Sequence, residues 1–454
     1  MRYQSPFSSK ISFIFLLISI FTTKIHAQSY DLNTFKFRYQ NYRFLNTDFS
    51  LSGNSNRNIY DNNFNTFDSK KSLSNYISYI RTKSKDKVQL IENLSVSTNF
   101  LYSRYSGHFD QTDSSKRTVN LVNNIFYSFS KNLYTKNLNF KILEFGFNSY
   151  LNPKFKSTDY NTNNYNLYFN FGIGKGRIEN VSDAVTAIFI VKDLISKGIS
   201  TEIDSSKIEK LASGVVEARN RRFLNDYRYQ YIDQISLLDS ICKTIGIQQF
   251  NSLKYFNILY DNLIFTDYSR ETGGKLEFKG GLEGLSNRIG YYDYKTFENS
   301  FIKYFRHDFD YGINLNLSSR YRNVHQINSQ QQRGHLFEIN YRKNLLYEYL
   351  IRKSESLMDH NLEFHYNFEF IVQPNTRTFF KFHLPMYLNI IRPKYDILRK
   401  NLQTGLYAEA NYFISRKTSL NCYLNYRFSK SFIGDDKLQF SNSIFRVSIN
   451  HSIF

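Results

Sequence analysis

The 454-residue chain contains no tryptophan and only two cysteines, Cys242 and Cys422. A secreted scaffold stapled by disulfides carries more thiols than that, so disulfide architecture is excluded. Despite a net charge of +20, no five or six basic residues stand in a row. Charge scattered over strands, turns and helices offers phosphates no clustered face, and no nucleic-acid partner is expected. The expected counterpart is anionic lipopolysaccharide, or simply water in a polar lumen and its loops. Signatures of hydrolysis such as His-Glu-x-x-His are missing too, and the sequence names no catalytic, cofactor-binding or metal-binding residues.

Long apolar runs are also lacking. Near the N-terminus, Ile11–Phe21 is apolar over eleven residues, well short of the roughly 20 a membrane-spanning helix needs. Arg2 and Lys10 precede it, and Ile25-His26-Ala27-Gln28 follows with a small residue at a cleavage position. The expectation is a secretory signal peptide, residues 1–27, removed after Ala27 without lipid attachment.

What the chain has in abundance is aromatic rings, 18% of residues, in a sequence whose mean hydropathy is only −0.48. Strands with one oily and one wet face produce that combination. Leu94, Val96, Thr98, Phe100 and Tyr102 alternate with Ser95, Ser97 and Asn99, and Tyr165, Leu167, Phe169, Phe171 and Ile173 with Asn164, Asn166 and Asn170. The cleanest set is Phe309, Tyr311, Ile313, Leu315, Leu317 and Tyr321 against Asp310, Asn314, Asn316 and Arg320. Leu315 is expected to face lipid and Asn314 a polar lumen. About sixteen such strands, within a range of about 14 to 18, each of roughly 9 to 11 residues, are expected. Phe35, Phe37 and Tyr39 share the phase of the first strand as a lead-in to it. Polar stretches such as Gly53–Ser72 and Gly107–Lys116 read as loops.

The fold expected is an all-β transmembrane antiparallel barrel, because closure removes the edge strands that an open sheet would expose. Connections support it by alternating in length. Arg306–Asp308, Arg342–Lys343, Gln373–Thr376 and Ser415–Thr418 read as tight periplasmic turns, while Asn323–Arg333, Lys353–His360, Arg392–Thr404 and Ser429–Ser441 read as long external loops.

Between Ile178 and Ile245 the period changes from two to 3.6. Ala184, Ala187, Ile188, Val191 and Leu194 form one stripe, and Ile208, Leu211, Val215 and Ala218 another. A third is Ile232, Ile235, Leu238 and Ile241 or Cys242, and a fourth Leu253, Phe256, Tyr260 and Leu263. Asn180 or Ser182 is expected to cap the first helix and Asp204 or Ser205 the second, with Gly198 and Gly246 as stops. Stripes of this kind need one another, so a small helical bundle is expected. The resulting divisions are 28–174 and 273–454 for the barrel and 175–272 for the insertion, placed on the periplasmic side as a docking or gating module for a periplasmic protein partner.

Gly174-Lys175-Gly176-Arg177-Ile178-Glu179, followed by Asp183-Ala184, resembles a junction found in uncharacterised outer-membrane barrels of Bacteroidota type. The terminal Phe454 resembles the aromatic signal such barrels present to their assembly machinery. It stands one residue out of phase with Phe445, Val447, Ile449 and Ile453, which a β-bulge near His451 would correct. The resemblance implies an outer-membrane pore, transport or envelope-structural protein and no known activity. The two other readings are a secreted soluble β-rich binding protein and an outer-membrane hydrolase. For the hydrolase, His307, Asp308 and Asp310, or His108, Asp110 and Asp113, supply residue types only; His307 is expected in a periplasmic turn and His108 in an external loop. Glu363, His365, Asn367 and Glu369 share one strand face and are expected to line the lumen.

Overall fold

The computed structural model describes residues 31–32, 35, 42–60, 64–109, 112–152, 160–200, 203–220, 230–247, 253–265, 269–297, 300–349, 358–393, 397–415, 418–434 and 436–451. The strands are β1 (Tyr42–Tyr60), β2 (Phe64–Lys85), β3 (Val88–Phe109), β4 (Thr112–Tyr134), β5 (Asn139–Asn152), β6 (Tyr160–Asn180) and β7 (Glu271–Phe297). They continue as β8 (Ser300–Gln326), β9 (Gln331–Tyr349), β10 (Met358–Asn375), β11 (Thr378–Pro393), β12 (Arg399–Ser415), β13 (Thr418–Ile433) and β14 (Asp436–His451). All fourteen belong to one antiparallel sheet in sequence order. Four helices, α1 (Ser182–Ser196), α2 (Ser205–Asn220), α3 (Gln230–Thr244) and α4 (Leu253–Ile264), lie between β6 and β7. Among the described residues no ladder joins β14 to β1.

The sheet curls into a barrel, and contacts at one rim show the curvature. Strands lie about 4.8 Å apart, so a flat sheet would put β6 roughly 14 Å from β3. That is beyond the reach of one side chain. Yet Arg177 at the foot of β6 donates Nη1 to the Lys85 carbonyl at 2.8 Å and Nη2 to Ser84 Oγ at 2.6 Å in the β2–β3 hairpin. Its guanidinium also lies 4.8 Å from the ring of Tyr134 at the foot of β4.

Among the described residues there are fourteen strands, inside the range expected, but at 14 to 27 residues they are longer than expected, because polar stretches that read as loops are paired backbone. Ser50 and Ser74, and Ser52 and Ser72, hydrogen-bond across the β1–β2 hairpin inside the supposed Gly53–Ser72 loop region and its flank. Two expected turns are strand interior. Arg306–Asp308 pairs with Ile289–Tyr291, and Arg342–Lys343 pairs with Asn361 and His360. In the second case the register shifts where Ile313 faces Leu346 and Asn314 faces Asn344, leaving Leu345 as an extra residue. Such a bulge breaks the alternation and so mimics a turn. Within Asn323–Arg333, read as a long external loop, only residues 327–330 turn between β8 and β9, at the helical rim, where Asn328 Oδ1 accepts from the backbone N–H of Gln330 and of Gln331. The β13–β14 ladder runs unshifted to His451, so no bulge is present there; Phe454 lies outside the described residues, as does the signal-peptide segment.

The helices bury their stripes against one another. Asn180 Oδ1 accepts from the Ser182 backbone at 2.9 Å, and Asp204 Oδ1 caps α2 by accepting from the Lys207 backbone at 2.9 Å. Gly198 stops α1 with φ +67°. The α2 stripe is buried as expected. The α3 stripe is buried at Ile235, Leu238 and Cys242, with Ile232 of its first turn exposed. That of α4 is rotated: Leu253 and Phe256 are exposed, and α4 buries Tyr255, Ile258, Leu259, Asn262 and Leu263. Two polar groups on that face find aspartates, Tyr255 donating to Asp239 at 3.0 Å and Asn262 to Asp193 at 2.8 Å. The Arg219–Asp183 pair at 2.7 Å ties α2 to α1. Leu32 and Phe35 also lie in this core, so Phe35 is no strand lead-in; residues 37 and 39 lie outside the described residues.

Candidate functional site

The inner wall of the barrel is the candidate site. Residues directly opposite in an antiparallel ladder share a face, and the face toward the concavity is identified by ion pairs that skip a strand. Lys279 on β7 reaches Glu144 on β5 at 3.2 Å, and Arg342 on β9 reaches Glu283 on β7 at 2.9 Å. Following the pairs around, this face carries Gly172, Lys279, Ser318, Asn340, Glu363 and Asn389 in one tilted row. The opposite face carries Leu167, Phe169, Phe171 and Ile173 on β6, the last 65% exposed. Leu317, Tyr321, Leu384, Met386, Phe445 and Val447 extend that exposed apolar surface.

The inner wall is charged, and most of its charge is paired. Glu283, nearly fully buried, accepts from Asn166 at 2.8 Å and from Asn314 at 3.3 Å besides the Arg342 pair. Asn314 therefore does face inward but is held tightly rather than bathed in solvent. Arg320 pairs with Glu338 at 3.8 Å. Glu369 takes both Lys381 at 3.1 Å and His383 at 3.4 Å.

The four residues read from one strand face, Glu363, His365, Asn367 and Glu369, all lie on this wall. They stand opposite Asn389, Tyr387, Pro385 and His383 of β11. His365 stacks on Tyr387 with ring centroids 4.2 Å apart and planes 7° apart. His383 meets Tyr407 edge-on at 5.4 Å, and Tyr407 in turn meets Tyr423 at 5.1 Å. Aromatic faces thus alternate with carboxylates from β10 to β13. The histidines considered for hydrolysis are strand residues, His307 opposite Gly290 within β8 and His108 opposite Asp113 at the β3–β4 end. His307 is thereby moved from its expected periplasmic turn. Among the described residues, no three His, Cys, Asp or Glu side chains group to hold a metal ion.

Cavities among the described residues follow the wall. One of about 260 Å³ lies between β6 and β10. Another of about 430 Å³, above the helical rim, is bordered by Glu179, Glu271, Lys275 and Arg322. A third of about 430 Å³, bordered by Asn148, Asn166 and Asn287, lies toward the other end.

The helices close under this wall without packing along any strand. Arg270, fully buried just before β7, is the main tie. Its Nη2 donates to Gln326 Oε1 at 2.6 Å, its Nη1 reaches the Gln330 carbonyl at 3.4 Å, and its backbone N–H donates to Ser182 Oγ at 2.8 Å. Burial lowers its pKa to about 9, which still leaves it charged at neutral pH. Further ties are Lys192 to Ser329 at 2.7 Å and Arg377 to Asp261 at 2.8 Å. Phe265 stacks obliquely on Phe413 at 5.5 Å. None of these ties was visible in the sequence, because each joins residues remote along the chain.

No known protein family matches the chain, and no curated protein does. Among solved structures, it is similar to the CymD monoaromatic hydrocarbon channel, with 8% identity and a TM-score of 0.23, covering 92% of this chain and 89% of that one. It is also similar to the P. putida toluene transporter TodX, with 8% identity and a TM-score of 0.21, covering 91% and 89%. At these scores the likeness adds nothing to the fold that the ladders already define.

Proposed function

We propose that the protein is an integral outer-membrane pore whose helical module sits at the periplasmic rim and docks or gates. One observation carries this reading: the barrel is polar and ion-paired inside and apolar outside, the reverse of a soluble barrel around an oily core. Lipid then covers Leu167, Phe169, Phe171 and Ile173, while water fills the cavities of the inner wall. Strands of more than 20 residues exceed the roughly 9 to 11 needed to cross. Their excess lies at the end away from the helices, where the β7–β8 hairpin is the longest.

The lengths of the turns support the module's place in this reading. The β2–β3, β8–β9 and β10–β11 turns meet the helical side, and the long hairpins lie opposite. Short turns face the periplasm in outer-membrane barrels, so the helices face it too. The experiment is migration in detergent gels with and without heating, followed by conductance in planar bilayers. Heat-dependent migration with stepwise conductance is expected. A chain that stays soluble without detergent refutes the reading and favours the secreted binding protein instead.

A further inference from the structure

On the outward face, at the end away from the helices, the ladders bring four cations together. Lys400 stands opposite Ile390 and Phe432, Phe432 opposite Lys437, and Lys430 opposite Leu402. Arg392, two residues beyond Ile390, stands opposite His360. Arg392, Lys400, Lys430 and Lys437 are thus successive diagonal neighbours across β11 to β14, with backbones about 7 to 8 Å apart from one to the next. They share the outward phase of the exposed Leu384, Met386, Phe445 and Val447.

The charge of this quartet is unmatched. Cations of the inner wall have carboxylate partners: Lys279 has Glu144, Arg342 has Glu283 and Lys381 has Glu369. Among the described residues no ion pair takes up any of the four outward cations, and Lys430 has only the Phe432 ring, 5.1 Å away. Asp359, beside the cross-strand partner of Arg392, is held by His360 at 3.3 Å. Like charges so spaced repel one another until anions come between them. Arg392, Lys400 and Lys437 are exposed and Lys430 is half-buried, so anions can reach them from outside the barrel.

Their height says which anions. Each stands about 12 to 15 residues along its strand from the helical-side end, which at about 3.3 Å per residue and a tilt near 40° is roughly 30 to 38 Å. A hydrocarbon band of roughly 25 Å ends just below that level. Beneath the quartet on the same face run Leu388, Leu402 and Phe428, then Met386, Leu406 and Leu424. Charge therefore begins where the apolar face stops, as it must to meet a molecule that is anionic at its head and apolar below.

We propose that Arg392, Lys400, Lys430 and Lys437 form a docking surface for a diphosphorylated glycolipid of the outer leaflet, its acyl chains lying on Leu388, Leu402 and Phe428. Arginine and lysine bind phosphate oxygens through charge-assisted hydrogen bonds, and four cations spread over four strands suit two phosphates better than one. A zwitterionic lipid brings its own cation and gains little. The proposal rests on the reading of the chain as an outer-membrane barrel, and its test separates the two.

The test is native mass spectrometry of the full chain in detergent, titrated with diphosphorylated lipid A, with phosphatidylcholine and with soluble pyrophosphate. Lipid A is expected to bind at least about tenfold more tightly than phosphatidylcholine, and pyrophosphate at equal concentration not to displace it. The double variant Lys400→Gln, Lys430→Gln loses that preference, about tenfold or more in affinity. Arg427→Gln is the control, because Arg427 lies on the opposite face of β13 and is held by Gln403, and it keeps the native affinity. Heat-dependent migration of each variant reports that it has folded. A folded barrel that binds both lipids equally, that releases lipid A to pyrophosphate, or whose double variant binds as the native protein does overturns the docking surface alone. A chain that stays soluble without detergent overturns the docking surface and the barrel reading together.

Discussion

Cys242 shows how far the bundle core alters a single group. Burial pushes its thiol up to about 11, the nearby Asp239 adds to this, and a hydrogen bond with Tyr255 only partly offsets it. The thiolate is the species that reacts, so Cys242 is expected to resist maleimide at pH 8 until the bundle unfolds. With Cys422 replaced by serine, labelling should begin only at the denaturant concentration where helical signal is lost. Labelling of the native protein at the rate of a free thiol would show the core to be open. Tyr255 and Asn262 carry the lesson about sequence: both are buried on α4 because aspartates on α3 and α1 receive them. Local periodicity favours the apolar Leu253 and Phe256 instead, and cannot register partners on other helices.

At the scale of elements, alternation made β6 and β8 legible, including which residues share a face, and it placed Glu363, His365, Asn367 and Glu369 together. It failed where both faces are polar, as in the outer halves of β1 and β2, since no period then exists to detect. The pairs that organise the wall gave no signal either, Lys279 and Glu144 being 135 residues apart. The two faces make an opposed prediction. Leu167→Lys puts an amine among lipid tails and is expected to cost roughly 2 to 4 kcal/mol near the midplane. Asn170→Lys on the same strand meets Glu144, which Asn170 already contacts at 3.4 Å, and should unfold with native denaturant midpoint. Equal losses at the two sites would mean that the faces are misassigned. Gly176 on β6 and Gly273 on β7 have φ of +91° and +113°. An added Cβ on either would run into backbone carbonyl oxygen of the facing strand.

For the whole molecule, the sidedness of the helices is decided by labelling from outside. After Cys242 and Cys422 are replaced, a cysteine at Lys437, exposed beside the β13–β14 turn, should react with an impermeant maleimide on whole cells, and one at Lys210 on α2 should not. Reaction at Lys210 alone would invert the barrel. The burial of Leu32 and Phe35 among the helices has a consequence for the order of assembly. Every ladder joins strands that are consecutive in sequence, so most of the sheet can zip up locally as it emerges. The base of β1 is different, because its anchor is made of residues 181–265, which are synthesised after β6. The first strand therefore waits on a domain that does not yet exist when it appears.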